Sequence, residues 1–338
     1  MSVEVRQRHQ LVGHGAVVEK LWDAMRTERL HHAYLFEGPR GVGKRTVANL
    51  LAMAANCEAA TDRPCGTCRT CHSIAEGTHP DVIEVVVAKD RASGTIPVDA
   101  IREVIRQAGY RRYAAKRRFV IVDPAEAMQE SAANALLKTL EEPPDGTGFV
   151  LVTHNASALL PTIRSRCQRV RMGSVAVRDI DRWLERRGVS DASVLARLSL
   201  GCPGRALELS GDGLAKRASL RSDVLTTLRG TVDDTFSFSQ KICKGARADY
   251  IRTIDAMLAI MEDLLRDVVV VGTGSQAELL NSDAVDDVHG LARRLYPDGV
   301  RRCADAVQLC RDDLAVYVSG RLAVDALLCR WRQALAVR

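Results

Sequence analysis

The fold of this chain is decided by residues 35–57, which read LFEGPRGVGKRTVANLLAMAANC. Gly38, Gly43 and Lys44 fit the phosphate-loop pattern G-x-x-x-x-G-K-[ST], and Gly41 lies between the two pattern glycines. In such a loop, backbone N–H groups cradle phosphate oxygens at a helix start, and the lysine meets the outer phosphates. An apolar strand pattern precedes the turn and a helical pattern follows it. The stretch therefore predicts a nucleotide-binding turn, and the alternative is a plain strand-to-helix turn.

The last position of the pattern departs from it. Arg45 stands where a hydroxyl group is expected to hold Mg²⁺, and Thr46 comes one residue late. Because a helix turns by about 100° per residue, we expect Thr46 to point elsewhere. Both residues remain candidates for nucleotide contact, so phosphate binding is predicted but hydrolysis is not.

A second nucleotide signature is the apolar run FVIVD, which ends at Asp123. An aspartate at the end of such a strand can assist Mg²⁺ beside the phosphate loop. Hydrolysing ATPases of this type place a glutamate next, but this chain has Pro124. Glu126 is expected to begin the following helix, where its charge favours the helix dipole, rather than to replace that glutamate. The departures at Arg45 and Pro124 both predict that any bound ATP or ADP is held and not turned over.

Four cysteines follow the first predicted helix with the spacing C-x₇-C-x₂-C-x₂-C: Cys57, Cys65, Cys68 and Cys71. Four thiolates suit a closed tetrahedral Zn²⁺ site, which has no open position and is therefore structural. An iron–sulfur cluster and unligated cysteines are the alternatives, and the ligand placement does not match a ferredoxin. The other six cysteines are scattered and are expected to be buried apolar residues: Cys167, Cys202, Cys243, Cys303, Cys310 and Cys329.

Length and composition limit the number of domains, the kinds of partner and the cellular location that the chain can have. The 338 residues, 46% of them apolar, are enough for two or three domains with a sizeable core. A net charge of +6 permits a polyanionic partner without demanding one. The N-terminal segment MSVEVRQRHQ lacks the apolar core of a signal peptide, and no run reaches the roughly 18 apolar residues of a membrane span. We therefore expect a cytoplasmic protein with no membrane partner.

Strand and helix patterns alternate up to residue 172, which predicts an α/β fold with a parallel sheet covered on both faces. One of the predicted helices runs over residues 125–140. From Ser174 onward only helical patterns follow, with joints at Gly173–Ser174 and at residues 211–213. The predicted strands are residues 34–36, 81–87, 118–122, 149–153 and 169–172.

Two segments and the cysteine spacing resemble bacterial clamp-loader subunits of the AAA+ class. The segments are SAANALLKTLEEPP (131–144) and LLPTIRSRCQ (159–168). DPAEAM (123–128) together with CPGRAL (202–207) is more similar to the delta-prime subunits of DNA polymerase III than to the gamma/tau motor subunits. The similarity covers residues 1–210, and beyond them it rests on length and helix content.

The resemblance implies three domains. An AAA+ (P-loop) nucleotide-binding domain would span residues 1–173, with a zinc module embedded at 57–71. A helical lid would span 174–212, and an all-α collar domain that holds the loader ring together would span 213–338. Subunits of the delta-prime type are regarded as a largely rigid stator, which agrees with the departures at Arg45 and Pro124.

The resemblance also implies a catalytic role for Arg166. Ser165-Arg166-Cys167 matches the SRC motif of the family, whose arginine reaches into the ATP site of a neighbouring subunit. A guanidinium can meet a γ-phosphate with two directed hydrogen bonds and stabilise its spread charge. The alternative is an ordinary surface arginine, since Arg164, Arg169 and Arg171 lie close by.

The resemblance and the residue patterns lead to further expectations. Thr153-His154-Asn155 lies where the family places sensor 1, while Gly204 falls at the sensor 2 position with Arg205 beside it. A basic run before the aspartate strand is interpreted as a solvated loop, with contact to the DNA backbone as the alternative. The apolar residues of the C-terminal helices are expected to be mostly core, with some in the collar contact. The basic run is Arg111, Arg112, Lys116, Arg117 and Arg118, and the apolar set includes Met257, Ile260, Met261 and Leu264.

The resemblance thus implies a subunit that helps to load a sliding clamp onto primer–template DNA, alongside the gamma/tau motor and delta subunits. A gamma/tau-like subunit that hydrolyses ATP itself is the first alternative, and Arg45 and Pro124 argue against it. A self-assembling AAA+ protein of recombination or repair is the second, and the cysteine module argues against that.

Overall fold

The computed structural model describes residues 11–87, 94–316 and 318–336. The polar N-terminal segment, residues 1–10, lies outside the described residues. The chain forms two compact units, one ending at Ser210 and the other beginning at Gly211. The division into three domains, with boundaries after residues 173 and 212, stays a prediction.

The first unit is built on a five-stranded sheet in which every neighbouring pair is parallel. The strands are β1 (Ala33–Glu37), β2 (Val82–Val86), β3 (Arg118–Asp123), β4 (Thr147–Thr153) and β5 (Gln168–Arg171), in the spatial order β2-β3-β4-β1-β5. The helices are α1 (Gly15–Arg26), α2 (Lys44–Asn56), α3 (Arg69–Ala75), α4 (Val98–Ala108), α5 (Glu130–Glu141), α6 (Pro161–Arg164), α7 (Val177–Arg186), α8 (Ala192–Leu198) and α9 (Pro203–Leu209). We call α7–α9 the lid helices.

Two apolar cores cover the two faces of this sheet. Tyr34 and Phe36 point into the core shared with α1, α2 and α3, whereas Ala33 and Leu35 point into the core shared with α4 and α5. Because successive side chains of a strand face opposite sides, a strand buried on both faces is apolar throughout. The predicted α/β fold with a parallel sheet is therefore confirmed.

The sheet positions the functional site through its carboxyl edge. Glu37 pairs with Thr153 on β4, and Val86 of β2 pairs with Asp123 of β3. The loop that follows β1, Asp123, and the residues after β4 therefore emerge at one edge, where ligands of open parallel sheets bind.

One predicted helix begins later than expected. Residues 125–127 form a single 3₁₀ turn, and α5 starts only at Glu130. Ile96 explains the delay, because its N–H donates to the carbonyl of Ala127 at 2.7 Å and its carbonyl accepts from the N–H of Gln129 at 3.0 Å. These bridging hydrogen bonds hold the backbone extended at Met128, so the helical propensity of the segment is overridden.

The described residues of the second unit form helices and the turns and loops that connect them, without a strand. Its helices are α10 (Gly213–Arg229), α11 (Val232–Ile242), α12 (Arg247–Gly272), α13 (Val285–Leu295), α14 (Asp298–Ala315) and α15 (Gly320–Ala336). They enclose one apolar core with Trp331 at its centre, where the indole N–H donates to the carbonyl of Cys303 at 3.2 Å. None of the helices described for this chain combines the length and the apolarity needed to cross a lipid bilayer.

The apolar residues singled out on α12 all belong to this core. Met257, Met261 and Leu264 are fully buried and Ile260 nearly so. They pack within their own chain, so the expectation that these residues are mostly core is confirmed, and a collar contact through other apolar residues stays a prediction. Side chains that are buried in the core of their own chain cannot also contact another subunit.

Candidate nucleotide-binding and metal sites

The phosphate loop connects β1 to α2 and needs glycine at two of its positions. A Cβ at Gly38 would lie 2.1 Å from the carbonyl oxygen of Met172, so the close approach of two backbones excludes a side chain there. Gly43 has φ +108°, a value that L-residues rarely adopt. The local steric rules that select glycine thus shape the turn as the sequence predicts.

Lys44 begins α2 and is held inside the loop. Its ammonium group donates to the carbonyl oxygens of Gly38 at 2.6 Å and Pro39 at 2.8 Å. Burial lowers the pKa of Lys44, and the nearby carboxylates of Asp123 and Glu126 oppose that shift. A desolvated ammonium tied to loop carbonyls lies where it can exchange those contacts for phosphate oxygens.

Arg45 follows Lys44 and points across the sheet edge. Its guanidinium forms an ion pair with Glu84, whose other carboxylate oxygen accepts from the amide of Asn49 at 3.2 Å. Glu84 was missed by the sequence analysis, although one acid in the apolar strand VIEVV is a signal that could have revealed it. Thr46 lines the pocket at the phosphate loop, so its expected turn away from the loop does not remove it from the site.

The phosphate loop and the lid helices α7 and α9 line an open cavity of about 610 Å³. Gly204, at the start of α9, donates its backbone N–H to the carbonyl of Gly41 at 2.8 Å, and a Cβ at Gly204 would lie 2.9 Å from the Cα of Gly41. The side of the cavity formed by the lid includes Trp183 and Leu207. No sequence signal marked these two lid residues, because their apolar character also suits an ordinary helix core.

Asp123 lies at the end of β3 and lines this cavity together with Pro124. Burial raises the pKa of Asp123, and the positive charges of Arg45 and Lys44 partly offset that effect. Pro124 supplies no group that could activate a water molecule. The sequence-predicted phosphate-loop residues and Asp123 are thus brought together in one place.

Glu126 does not take over the role that Pro124 leaves open. It forms an ion pair with the ring of His154 and also accepts from the backbone N–H of that residue at 3.1 Å. Burial acts to raise the pKa of Glu126, but the hydrogen bonds from His154 prevail and hold it at about 2. A carboxylate this acidic is a weak general base at neutral pH.

The sensor positions can also be located. His154 lines the cavity and Asn155 is exposed, whereas Thr153 is fully buried at the end of β4. Gly204 lines the cavity wall from the lid side, next to Arg205. The sensor assignments themselves stay predictions.

Arg166 lies outside this cavity, between α6 and β5. Its Nε donates to Glu141 Oε1 at 2.7 Å, and its Nη1 donates to the carbonyl of Thr162 at 2.9 Å. The next residue, Cys167, is buried in the core beneath α5, and burial raises its pKa to about 12. Cys167 therefore anchors the segment while the arginine before it stays at the surface. No sequence pattern indicates that Glu141, an acid at a helix end, is the partner of Arg166.

Two arginines close to Arg166 in the sequence are bound at the edge of the sheet. Arg169 and Arg171, on β5, both form ion pairs with Glu37 at the end of β1. Although burial opposes it, these two guanidinium groups lower the pKa of Glu37. The two arginines thus stabilise the sheet edge, which distinguishes them from Arg166.

The four clustered cysteines converge as the spacing predicts. Their sulfur atoms all lie within 4.8 Å of one another. Zn–S bonds of about 2.3 Å in a tetrahedron place sulfurs about 3.8 Å apart, so a modest contraction gives the geometry of a metal site. Cys57 ends α2 and Cys71 lies in α3, and both are buried. These residues fit a metal ion, and its identity as zinc stays a prediction.

Backbone groups of the module favour thiolates. The N–H groups of Cys65, Cys68 and Cys71 donate to the sulfurs of Cys57, Cys65 and Cys68 at 3.3, 3.3 and 3.4 Å. Such hydrogen bonds stabilise negative sulfur and orient metal ligands. Trp22 ties the module to α1, because its indole N–H donates to the carbonyl of Arg63 at 3.0 Å.

The other six cysteines largely follow the expectation. Cys167, Cys202, Cys303 and Cys310 are buried, whereas Cys243 and Cys329 are only half-buried.

The solvated loop that the sequence predicts for the basic run is confirmed for Arg111, Arg112 and Lys116, which are exposed, but not for Arg118, the first residue of β3. Arg118 is only 5% exposed and forms two hydrogen bonds with Asp81 Oδ1, at 2.6 and 3.1 Å. The other carboxylate oxygen of Asp81 accepts from three successive backbone N–H groups, those of residues 113–115, at 2.9–3.0 Å. The buried ion pair therefore organises the loop from within.

Two more members of the run are also held by carbonyl groups. Arg117 donates to the carbonyl of His31 at 2.9 Å and Lys116 to that of Cys57 at 3.1 Å. Arg111, Arg112 and Lys116 are exposed, so these three are the members of the run best placed to meet a polyanion. The prediction of a solvated loop is wrong for Arg118 because Asp81, the residue just before β2, is a buried acid that no local pattern reveals.

Comparison with known proteins gives consistent matches. Residues 13–176 match the family model described as "DNA polymerase III, delta subunit". The DNA polymerase III subunit delta' of Haemophilus influenzae is 31% identical over 251 residues, which cover 73% of this chain and 74% of that protein. The delta' subunit of Pseudomonas aeruginosa is 37% identical over 205 residues, covering 59% of this chain and 62% of that protein.

A longer relative is matched across nearly the whole chain. The DNA polymerase III subunit tau of Escherichia coli is 30% identical over 344 residues, which cover 95% of this chain and 53% of that protein. The chain thus spans about half the length of the tau relatives that it matches.

Proposed function

The chain belongs to the family of DNA polymerase III clamp-loader subunits that includes delta', tau and gamma, and we propose that it acts there as a delta-prime stator. In this role it supplies Arg166 to the ATP site of an adjacent motor subunit and does not consume ATP itself. The family resemblance that the sequence predicts is confirmed, and the stator role is the proposal.

The observation that carries the proposal is the condition of the chain's own phosphate site. Arg45 stands in the hydroxyl position and is paired with Glu84, and Pro124 stands in the position of the catalytic glutamate. Glu126, the remaining acid nearby, is engaged by His154. A site without a metal-binding hydroxyl or a base to orient water supports nucleotide binding more readily than hydrolysis.

The geometry around Arg166 supports the second half of the proposal. The guanidinium lies at the surface, and its carboxylate partner Glu141 is itself half-exposed, so exchange for another anion costs little. Cys167 holds the backbone in place from below. A planar guanidinium that reaches a γ-phosphate in this way can stabilise the charge that develops on the equatorial oxygens.

The cysteine module completes the subunit as a structural element. We propose that the four thiolates hold Zn²⁺, with all coordination positions filled by protein, so that the ion stabilises a loop with little core of its own.

The proposed partners are the gamma/tau motor and delta subunits, the sliding clamp and, within the complex, primer–template DNA. The proposed place of action is the cytoplasm.

The alternative within the family is a gamma/tau-like motor, which the match to tau over 95% of the chain keeps open. ATP turnover by the purified chain tests this alternative. Turnover of about 1 s⁻¹ or more, within the usual range of enzymes, would identify a motor. Because a lone motor also lacks the arginine of a neighbour, a low value leaves the decision to the reconstituted complex.

The trans role is tested by reconstitution with the motor and delta subunits, followed by DNA-dependent ATP hydrolysis. Arg166→Ala is expected to lower turnover at least about tenfold while the complex still assembles, because the phosphate charge loses its guanidinium. Arg178→Ala, at an exposed lid position, is the matched control. Unchanged turnover in the Arg166→Ala complex would remove the trans role.

A further inference from the structure

The fold family implies Mg²⁺ at the phosphate loop, and the residues present do not fit it. The ion is normally held by the loop hydroxyl and assisted by the aspartate of the neighbouring strand. Here the hydroxyl position carries Arg45, and both Arg45 and Asp123 line the same cavity. A guanidinium has five donor N–H groups and no acceptor, so it cannot ligate a metal ion.

The strand order explains how Arg45 is held there. β2 lies beside β3, with Val86 opposite Asp123, and Glu84 points from β2 toward the start of α2. Glu84 holds the guanidinium at the sheet edge without burying it, because Arg45 is 49% exposed. The positive charge of Arg45 acts on Asp123 more strongly than that of Lys44, which agrees with a guanidinium close to the carboxylate.

We propose that this loop binds a nucleoside di- or triphosphate without a divalent cation, with the Arg45 guanidinium in the place of Mg²⁺. Phosphate oxygens would displace the loop carbonyls from Lys44 and take up the forked N–H groups of Arg45. The glycines already provide the backbone cradle, and the lid reaches it through the hydrogen bond between Gly204 and Gly41. The site would then hold nucleotide as a structural ligand.

The charge of the site supports this assignment. A diphosphate brings two or more negative charges, which Mg²⁺ usually offsets. Lys44 and Arg45 supply two positive charges on successive residues, and Arg40 adds a third at the cavity wall. Arginine also suits this task because its planar fork matches two phosphate oxygens at once.

The test uses the full-length chain and the fluorescent nucleotide mant-ADP. Titrations are run with millimolar Mg²⁺ and in metal-depleted buffer, without a strong chelator, because a chelator could also strip the cysteine cluster. A change in tryptophan fluorescence gives a second readout, because Trp183, one of the three tryptophans of the chain, lines the cavity. Circular dichroism confirms that each variant is folded.

The wild-type Kd is expected to change by less than about twofold between the two buffers. Arg45→Thr, which restores the usual hydroxyl, should weaken metal-free binding at least about tenfold, the loss expected for a charge-assisted hydrogen bond. Added Mg²⁺ should recover part of that affinity in Arg45→Thr. Arg178→Thr makes the same replacement at an exposed lid position and should match the wild type.

Three results would overturn the inference: binding by the wild type only with Mg²⁺, no binding by the wild type in either buffer, or equal metal-free binding by Arg45→Thr and wild type. None of them bears on Arg166, because the inference concerns the chain's own loop. Assembly with the motor subunits and the loss of turnover in Arg166→Ala would still test the stator role separately.

Discussion

Replacing Glu141 by glutamine removes the carboxylate that holds Arg166 while keeping the size and shape of the side chain. In the isolated chain Arg166 is 31% exposed and Glu141 is 48% exposed, so water screens much of their attraction. Such partly exposed pairs are worth about 0.2–1 kcal/mol. If Arg166 must leave Glu141 to reach the neighbouring ATP site, that energy is part of the cost of assembling the active state.

Glu141→Gln should therefore favour the extended arginine by a factor of about 1.4 to 5, which corresponds to about 0.2–1 kcal/mol. The expected result in the reconstituted loader is DNA-dependent ATP turnover, measured below saturation, that rises within this range. Glu142→Gln is the matched control, because it changes the adjacent exposed glutamate. Its turnover should equal that of the wild type.

The combination with Arg166→Ala makes the test specific. Because the proposed effect of Glu141 acts only through Arg166, Glu141→Gln should change nothing in the Arg166→Ala background. A fall in turnover for Glu141→Gln, comparable to that of Arg166→Ala, would refute the reasoning. It would show that Glu141 holds the arginine in its productive position rather than competing for it.

Three further predictions concern stability and metal content. Asp81→Asn leaves a buried guanidinium unpaired and should lower the free energy of unfolding by about 3 kcal/mol or more, measured by urea denaturation; a loss below about 1 kcal/mol would contradict this. The pKa of Glu126 is about 2 in the folded state and 4.5 in the reference state. The ionised carboxylate therefore stabilises the folded state above about pH 4.5, and this stabilisation is lost as the pH falls toward 2. Glu126→Gln should remove up to about 3 kcal/mol of that pH-dependent loss in acid titrations, and unchanged acid sensitivity would refute the assignment. Cys71→Ser should abolish stoichiometric zinc in elemental analysis while Cys329→Ser retains it, and a brown colour in the wild type would indicate an iron–sulfur cluster instead.

Two features of the site could be predicted because local chemistry imposes them. A turn with φ +108° at Gly43 and a backbone contact at Gly38 admits few residues other than glycine. Likewise, four cysteines within fifteen positions bring their sulfurs together through short loops, whatever the surrounding fold. In both cases the residues that form the feature are close in the chain, so a pattern in the sequence is sufficient to predict it.

The partners of the charged residues could not be predicted in this way. The sequence predicts Arg118 to be part of a solvated loop, yet its carboxylate partner Asp81 lies 37 residues earlier and is fully buried. The 3₁₀ turn before α5 was also missed, because Ile96 lies outside any helical pattern. In each case the deciding contact comes from an element that is distant in sequence.

The sequence by itself determined the phosphate cradle, the cysteine cluster, the alternation of strands and helices, and the absence of a side-chain base at Pro124. Only the tertiary structure decided that Arg45 pairs with Glu84 and that Arg166 rests on Glu141. The physical reason is one of range. Backbone sterics and short-loop closure act between near neighbours in the chain, whereas an ion pair depends on which strands and helices pack side by side, and that is fixed by burial of the whole apolar core.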